Sequence, residues 1–443
     1  MPARNVHTIL IACLISAVCF ATANRVRRTV LLGDAMSLID RFYVDPIESS
    51  DLIEAAMAGL TSRLDRHSEF IPADLYSQFN DVIQQEFAGV GILVEQPQAG
   101  KPVRVITPLV GSPALIAGVL PGDEIIGVAG VDVSELPIRE VSDRLRGPVG
   151  TTVSVRIRRV EEEMVKLHEI SLRRETITLE SVVGDHRDAD DQWIFRLRKH
   201  PEIAYIRVTS FGEKTELELR RVLSELDNDF ESLILDVRGN SGGLLITAVE
   251  VCDDFLDQGR IVTIKKRGGV IEKEFDAEPG TFVRKDTSIV VLIDGDSASA
   301  SEIVAACLQD HGRATIIGSR SFGKGTVQNV LPLESGRSAL KLTTARYYRP
   351  NGRNIHRRED STESDEWGVS PDEGMSVTMT DEARQALVEH WRQASFPAST
   401  STTAANNTDA TAAASSKDAS GQLFDPQLSK AIDFLTSDES FTP

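Results

Sequence analysis

The chain has 443 residues, of which 41% are hydrophobic and 26% charged, a composition typical of globular proteins with room for two or three domains. Its formal net charge is −19. Because no basic stripe or aromatic-interleaved patch interrupts this negative balance, the sequence argues against a nucleic-acid partner. No cysteine or histidine cluster has metal-ligand spacing, so no metal site is expected.

Residues 1–28 predict an export signal or a membrane anchor. An uncharged apolar run, Thr8–Ala23, follows Arg4 and His7 and ends in Ala21–Ala23, an A-x-A cleavage pattern. The run is slightly short for a transmembrane helix, but close enough in length that an uncleaved anchor stays open. The sequence thus predicts an exported protein, periplasmic or otherwise extracytoplasmic, with membrane tethering as an alternative.

Residues 29–85 predict an N-terminal helical region. Apolar residues from Val30 to Phe42 recur at helical spacing, and Asp45-Pro46 ends that pattern. Leu52–Leu64 and Ala73–Gln85 predict two further helices.

Residues 86–175 contain Ser112-Pro113-Ala114, then Gly118, then Leu120–Ile126, an order similar to that in PDZ domains of bacterial proteases. The segment 86–175 therefore resembles a PDZ domain. In PDZ domains a glycine-bearing turn presents backbone N–H groups to a peptide's terminal carboxylate, and the peptide adds as a strand. The candidate residues for this role are Gly89, Val90, Gly91 and Ile92. The alternative is that these glycines only form hairpin turns.

Residues 176–376 predict an α/β layer, because strands and helices alternate there. Ile203–Val208, Leu233–Val237, Ile261–Lys265, Ile289–Ile293 and Ala314–Ile317 predict strands. The predicted helices are Glu216–Leu226 and a segment that ends at Phe255. Two cysteines lie outside the signal, Cys252 and Cys307, both on apolar helix faces, and we interpret them as buried small hydrophobic residues. Thr343–Tyr348 predicts an edge strand.

Residues 377–443 predict a tail. Its part rich in Ser, Thr and Ala, 395–420, is typical of a flexible linker, and a short final helix begins at Asp425-Pro426.

The segment Asp294–Gln328 carries the most informative chemistry. Ser297, Ser299 and Ser301 lie at a predicted helix start, and Glu302 follows Ser299 at capping-box spacing. Backbone N–H groups at a helix start stabilise an oxyanion, and the same positive helix end, together with burial, favours the neutral amine of a nearby lysine. Lys324, between two glycines, could therefore act as a base for a serine nucleophile. Locally, a plain helix cap and a surface lysine explain the pattern equally well.

The string SASASEI, followed by QD, RA and SFGKGTVQ, resembles the carboxy-terminal processing (tail-specific) proteases, which are serine peptidases with a Ser–Lys dyad and a PDZ domain. The resemblance implies an α/β multidomain fold: a crotonase-like core with an inserted PDZ domain and an N-terminal helical region. It also implies a serine-type endopeptidase that needs no cofactor. Its partners would be proteins or peptides with apolar C-terminal tails, and a homo-oligomer is compatible with the sequence.

The resemblance also implies roles for individual residues. Ser299 matches the nucleophile, Lys324 the base 25 residues later, and Gln328 the residue that orients the base. The matched oxyanion donors are the amides of Gly243, or less clearly Gly242, and Ala300. Arg146 matches an arginine that couples the PDZ domain to the active site, whereas the role of Asp310 stays open. Two positions depart from the family pattern, namely Arg66 and Ser241, where relatives usually have proline.

Two functions of other classes remain as alternatives. A PDZ adaptor with an inactive protease domain would explain the predicted binding loop, but every expected dyad position is filled. A crotonase-type acyl transferase has no support from the PDZ or lysine motifs. The leading interpretation is an exported endopeptidase that recognises protein C-termini.

Overall fold

The computed structural model describes residues 30–161, 164–397 and 425–437, together with residue 16. It divides into two compact units: the described residues up to Tyr76 with Gln328–Thr343, and Ser77–Val327 with the described residues from Thr344 onward. The predicted signal at 1–28 lies outside the described residues apart from residue 16, as does the predicted linker from residue 398. No helix in the described ranges is long and apolar enough to cross a membrane.

The first unit contains two helices and a short strand. Helix α1 covers residues 30–42, α2 covers Ser49–Thr61, and strand β1, Glu69–Ile71, pairs antiparallel with Ala339–Lys341. The helices predicted for this region are present as α1 and α2, whereas β1 was not predicted, because three residues are too few to show a strand period.

Helix α3, Ala73–Gln84, begins in the first unit and ends in the second, which continues into a six-stranded antiparallel sheet of order β3-β4-β5-β7-β8, with β6 on β5. Its elements are β2 Glu86–Gly89, β3 Ile92–Glu95, β4 Val103–Pro108, α4 Pro113–Ile116, β5 Glu124–Val128, β6 Val131–Asp132, α5 Ile138–Leu145, β7 Thr152–Glu161, β8 Met164–Arg173 and β9 Glu175–Thr178. Strands β2 and β9 pair with each other beside this sheet, so the chain enters and leaves it at neighbouring points. Strand β3 is at the edge.

The elements that follow along the chain form the core α/β layer and its surroundings. They are β10 Val182–Val183, β11 His186–Arg187, β12 Trp193–Ile194, β13 Ile203–Val208, α6 Thr215–Leu226, β14 Ser232–Asp236, α7 Leu245–Asp253, β15 Arg260–Lys266, β16 Ile271–Asp276, β17 Ser288–Ile293, α8 Ala300–Asp310, β18 Thr315–Gly318, β19 Thr326–Leu333, β20 Ser338–Tyr348, α9 Asp381–Ala394 and α10 Pro426–Thr436. Of these, β19 from Gln328 onward and β20 up to Thr343 belong to the first unit.

A five-stranded sheet of order β10-β13-β14-β17-β18 forms the centre of this layer. The four strands from β13 to β18 are parallel, as the alternation of strands and helices predicts. Successive side chains of a strand point to opposite faces, so Leu233 and Leu235 pack in a core with α6, α7 and α8, whereas Ile234 packs in a second core with α10. The structure confirms the expected α/β multidomain class.

Two strand predictions are wrong in their placement. Strand β15 was expected in the α/β layer, but it pairs antiparallel with β16 and with the C-terminal half of β20. Strand β20 is not an edge strand, because it pairs with both β15 and β19. Periodicity identifies a strand but not its neighbours, which depend on long-range contacts.

A buried acid at the end of α7 gives a testable pH dependence of stability. Asp254 is 1% exposed and accepts a hydrogen bond from Arg220 Nε at 2.7 Å. Burial raises the pKa of Asp254 from 3.8 to about 7, although Arg220 opposes the rise. The folded protein therefore holds this proton more tightly than the unfolded chain, and the resulting stability, complete below pH 3.8, is lost as the pH rises through 7.

We expect Asp254→Asn, which keeps an acceptor for Arg220, to remove this contribution. Between pH 5 and pH 8 the wild type should lose on the order of 3 kcal/mol more unfolding free energy than the variant. Urea unfolding at both pH values measures the difference, and parallel losses in the two proteins would contradict the prediction.

Candidate active site

Two loops meet at the carboxyl ends of the adjacent parallel strands β14 and β17. The turn after β14 runs from Arg238 to Leu244, and the loop after β17 runs from Asp294 to Ser299. Asp294 Oδ1 joins them, because it accepts the N–H of Gly239 at 3.0 Å as well as the N–H of Ser297. Parallel strands bring such loops to one sheet edge, where α/β proteins commonly hold their sites.

Two of the three serines around the start of α8 have structural roles. Ser297 and Ser301 are fully buried, and their hydroxyls donate to the carbonyls of Val237 and Asn240, each at 2.8 Å. These bonds attach the start of α8 to the end of β14. Ser299, between them, is only partly buried.

The backbone of Ser299 makes a sharp strand-to-helix turn. Its φ of 56° and ψ of −112° lie in a region that side chains other than glycine rarely adopt. Such a conformation costs roughly 1–3 kcal/mol and persists only where neighbouring contacts enforce it. Helix α8 begins directly afterwards at Ala300, so the first N–H groups of the helix lie beside Ser299.

The buried side chain of Glu302 connects the Ser299 turn with the loop that carries Lys324. One carboxyl oxygen accepts the N–H of Ser299 and the N–H of Lys324, both at 2.8 Å. The other accepts the hydroxyl of Ser321 at 2.6 Å and the N–H of Gly323 at 2.7 Å. Burial raises the pKa of this carboxyl, and the four donors oppose the rise. One carboxyl group thus fixes the backbone at both residues of the predicted dyad.

The Lys324 loop also needs its flanking glycines. A β-carbon at Gly325 would lie 2.6 Å from the His356 nitrogen, and the Gly323 carbonyl accepts the N–H of Arg357 at 2.8 Å. The loop is therefore held between Glu302 and the segment around His356, with the Lys324 side chain partly buried.

The glycine turn after β14 lies against the Ser299 turn. A β-carbon at Gly242 would lie 2.8 Å from the Ser299 Cβ and 3.0 Å from the Ala300 nitrogen. The Gly242 N–H already donates to Asn240 Oδ1 at 2.8 Å. In the described part of the chain, neither Gly243 nor Ala300 donates its N–H to any group. Gly243 and Ala300 are therefore better candidates for oxyanion donors than Gly242.

The other predicted residues lie in different surroundings. Gln328 belongs to the first unit, where its Nε2 donates to Thr343 Oγ1 at 3.0 Å, so its orienting role stays a prediction. Asp310 ends α8, where it forms an ion pair with Arg349 at 2.6 Å and accepts from Asn351 Nδ2 at 2.8 Å. Asp310 thus fixes the turn after β20.

In the small antiparallel domain, the glycine loop before β3 is held by the segment before and within α4. The carbonyls of Val90 and Gly91 accept the N–H groups of Ala114 and Leu109, both at 3.0 Å. Ile92 then starts β3, whose free edge could accept a peptide strand. The binding roles of Gly89, Val90, Gly91 and Ile92 remain predictions.

Arg146 follows α5 and contacts the segment that leads into this domain. Its guanidinium forms an ion pair with Asp81 of α3 and lies 5.2 Å from the ring centre of Phe87 in β2. These contacts join the end of α5 to α3 and β2, the elements that lead into the domain. The regulatory role of Arg146 remains a prediction.

Sequence reasoning missed the wider roles of Glu302 and Asn240. The capping-box spacing identified Glu302 as a partner of Ser299, but nothing in the spacing indicates its bonds to the loop 22 residues away. Asn240, fully buried, accepts the N–H of Ala298 on its carbonyl and donates to the Val208 carbonyl. Such contacts between distant segments leave no local sequence pattern.

Comparisons with known proteins agree on one family. The profile of peptidase family S41 matches residues 202–375, and a PDZ domain profile matches residues 104–159. The carboxy-terminal-processing protease of Bartonella bacilliformis is 37% identical over 338 residues, which cover 75% of this chain and 73% of that protein. The carboxy-terminal processing protease CtpB of Bacillus subtilis is 31% identical over 341 residues, which cover 76% of this chain and 68% of that protein.

Among solved structures, a photosystem II D1 C-terminal processing protease is 28% identical, and the match covers 79% of this chain and 92% of that one with a TM-score of 0.42.

Proposed function

Because the chain belongs to the carboxy-terminal processing proteases of peptidase family S41, a family of serine peptidases with a PDZ domain, we propose that it is an exported endopeptidase with a Ser299–Lys324 dyad that selects substrates by their C-terminal tails. The observation that carries the proposal is the Glu302 carboxyl group, which binds the backbone N–H of both Ser299 and Lys324 at 2.8 Å. A shared anchor of this kind keeps two reacting groups from distant segments in one geometry.

In this mechanism Ser299 Oγ attacks the scissile carbonyl carbon while the neutral Lys324 amine takes its proton. The carbonyl oxygen becomes an oxyanion, and the N–H groups of Gly243 and Ala300 stabilise it. Lys324 then returns the proton to the leaving amine, and water hydrolyses the acyl-enzyme. Each unused donor in such a hole typically contributes about 2.7–4 kcal/mol to the transition state.

Substrate selection is assigned to the PDZ domain. The turn Gly89–Ile92 would offer N–H groups to a terminal carboxylate, and the free edge of β3 would pair with the residues before it. Export follows from the N-terminal run Thr8–Ala23, with tethering of an uncleaved signal as the alternative. A homo-oligomer is compatible with this assignment, and nothing in the mechanism requires one.

The test uses an unfolded protein substrate with an apolar C-terminus, offered with a free and with an amidated terminal carboxylate. Mass spectrometry of the fragments should show internal cleavage of the free form and much slower cleavage of the amidated form, because amidation removes the charge that the turn binds. Equal cleavage of both forms would leave the peptidase intact but overturn tail recognition. No cleavage of either form would overturn the proposed activity.

Arg146→Ala is expected to lower proteolysis while leaving tail binding largely unchanged. The side chain contacts Asp81 and Phe87 rather than the Gly89–Ile92 turn, so its loss should change how the domain is held and not what it binds. Arg144→Ala is the matched control, since Arg144 lies in the last turn of the helix that Arg146 follows, and its exposed guanidinium contacts Glu140 one turn earlier. Peptide affinity and cleavage rate are measured for both variants. Equal losses in affinity and rate for Arg146→Ala would mean that Arg146 serves folding or ligand binding and not the coupling of the two domains.

A further inference from the structure

A buried charge cluster lies directly before the glycine turn of the candidate active site. Arg238, which follows β14, is 1% exposed, and its guanidinium donates to Asp236, the last residue of β14, with the shortest contact at 2.6 Å. Asp236 also accepts from the Tyr205 hydroxyl at 2.8 Å. Four residues separate Arg238 from Gly243, so the position of this side chain bears on the position of the turn.

The second partner of Arg238 comes from the far end of the chain. Asp425 Oδ1 accepts from Arg238 Nη1 at 3.0 Å, and Asp425 Oδ2 lies 2.9 Å from Nη2. Gln427 Oε1 accepts from the same Nη1 at 3.1 Å. Arg238 thus donates from Nε and Nη2 to Asp236 and from Nη1 to Asp425 and Gln427 of the C-terminal segment.

The C-terminal segment is itself well anchored. Asp425 caps α10 by accepting the N–H groups of Gln427 and Leu428, and Gln427 Nε2 donates to the Val377 carbonyl at 2.9 Å. The apolar face of α10 packs on the sheet face opposite α7 and α8 through Leu428, Ala431, Ile432, Phe434 and Leu435. The helix therefore presents its capping carboxylate to Arg238 in a fixed position.

Asp425 is one of the two carboxylates that pair with the buried Arg238 guanidinium, and the other is Asp236. Arg207 stacks on the Trp391 ring at 3.7 Å and adds a second cation beside Arg238, while Asp236 and Asp425 supply the two anions. Removing one partner from a buried ion pair leaves a charge uncompensated, which is strongly destabilising at that point. Movement of the Arg238 side chain would relieve the uncompensated charge most directly, and the glycine turn that follows Arg238 would move with it.

We propose that the C-terminal segment Asp425–Thr436 is a positioning element of the active site, which acts through Arg238 to hold the Gly242–Gly243 turn against Ser299. This inference rests on the proposed Ser299 chemistry and adds to it a dependence on a segment remote in sequence. Asp425 touches no reacting atom. It sets where the Gly243 N–H group lies, and a misplacement of about 1 Å can lower the rate by roughly a hundredfold.

The test compares Asp425→Asn with Asp433→Asn in the full chain. Asparagine still caps a helix, so the first variant removes the charge facing Arg238 while keeping α10. Asp433 is an exposed aspartate of the same helix and provides the matched control. The readouts are kcat and KM for a peptide substrate, the rate at which a small fluorophosphonate labels Ser299, and the thermal unfolding midpoint.

We expect Asp425→Asn to lower kcat and the labelling rate by about tenfold to a hundredfold with little change in KM, and Asp433→Asn to match the wild type. A variant that ends at residue 397 should be slower still, and a synthetic peptide of residues 425–437 should restore its labelling rate, whereas the peptide with Asn at position 425 should not.

A lower unfolding midpoint for Asp425→Asn with wild-type kcat and labelling rate would overturn the positioning role and leave α10 as a stabilising element. The same holds if the truncated variant is labelled as fast as the full chain. If the wild type is not labelled at Ser299, the proposed function itself fails. That result is distinguishable from the two outcomes above, because in both of them Ser299 is labelled.

Discussion

Replacing either Ser299 or Lys324 with alanine is expected to abolish peptide-bond hydrolysis without unfolding the protein. The two side chains act as one unit in the proposed mechanism, so losing either should cost nearly the whole rate enhancement of the dyad, at least about a thousandfold in kcat. Both side chains are only partly buried, so truncating them leaves the packed core and the Glu302 bonds to their backbone in place.

The measurement is cleavage of an unfolded protein, together with circular dichroism to verify folding. Ser370→Ala and Lys285→Ala are suitable controls, because Ser370 is an exposed serine and Lys285 an exposed lysine that pairs with Asp257. Substantial turnover by Lys324→Ala at neutral pH would contradict the lysine-base mechanism, and turnover by Ser299→Ala would place the nucleophile elsewhere.

Glu302→Gln is expected to lower both activity and stability, although Glu302 takes no part in the proposed proton transfers. Its two carboxyl oxygens accept four hydrogen bonds, from the N–H groups of Ser299, Gly323 and Lys324 and the hydroxyl of Ser321. Glutamine offers one acceptor oxygen and turns an NH2 group toward two of these donors. Each buried donor left unsatisfied costs about 1–3 kcal/mol, so the loop and the Ser299 turn should separate.

We expect a loss of roughly a hundredfold or more in kcat and a clearly lower unfolding midpoint. Glu278→Gln serves as the control, since Glu278 is exposed on the surface of the same unit. The decisive measurement is the rate of fluorophosphonate labelling at a temperature where both variants are folded. Wild-type labelling by a folded Glu302→Gln protein would show that the shared carboxyl is not what positions the dyad.

The helix start at Ser299 and the alternation of the α/β layer were both readable from the sequence because each rests on local periodicity or local capping chemistry. A serine-rich segment after an apolar run predicts α8, and Glu302 three residues later predicts the bond to the Ser299 N–H, which the structure has at 2.8 Å. The long, specific string from Ser297 to Gln328 likewise predicted the family, which the relatives confirm.

Only the tertiary structure decided which distant segments meet. The bonds from Glu302 to the Lys324 loop and the contact between Gly242 and Ser299 join segments that are distant in sequence. The antiparallel pairing of β15 with β16 and β20 places it in a sheet other than the parallel one. Arg238 and Asp425, which form an ion pair, lie 187 residues apart in the chain, and no local sequence pattern indicates that they meet. Local patterns specify elements and their ends, whereas contacts between elements follow from which buried faces and charges find partners in the folded chain.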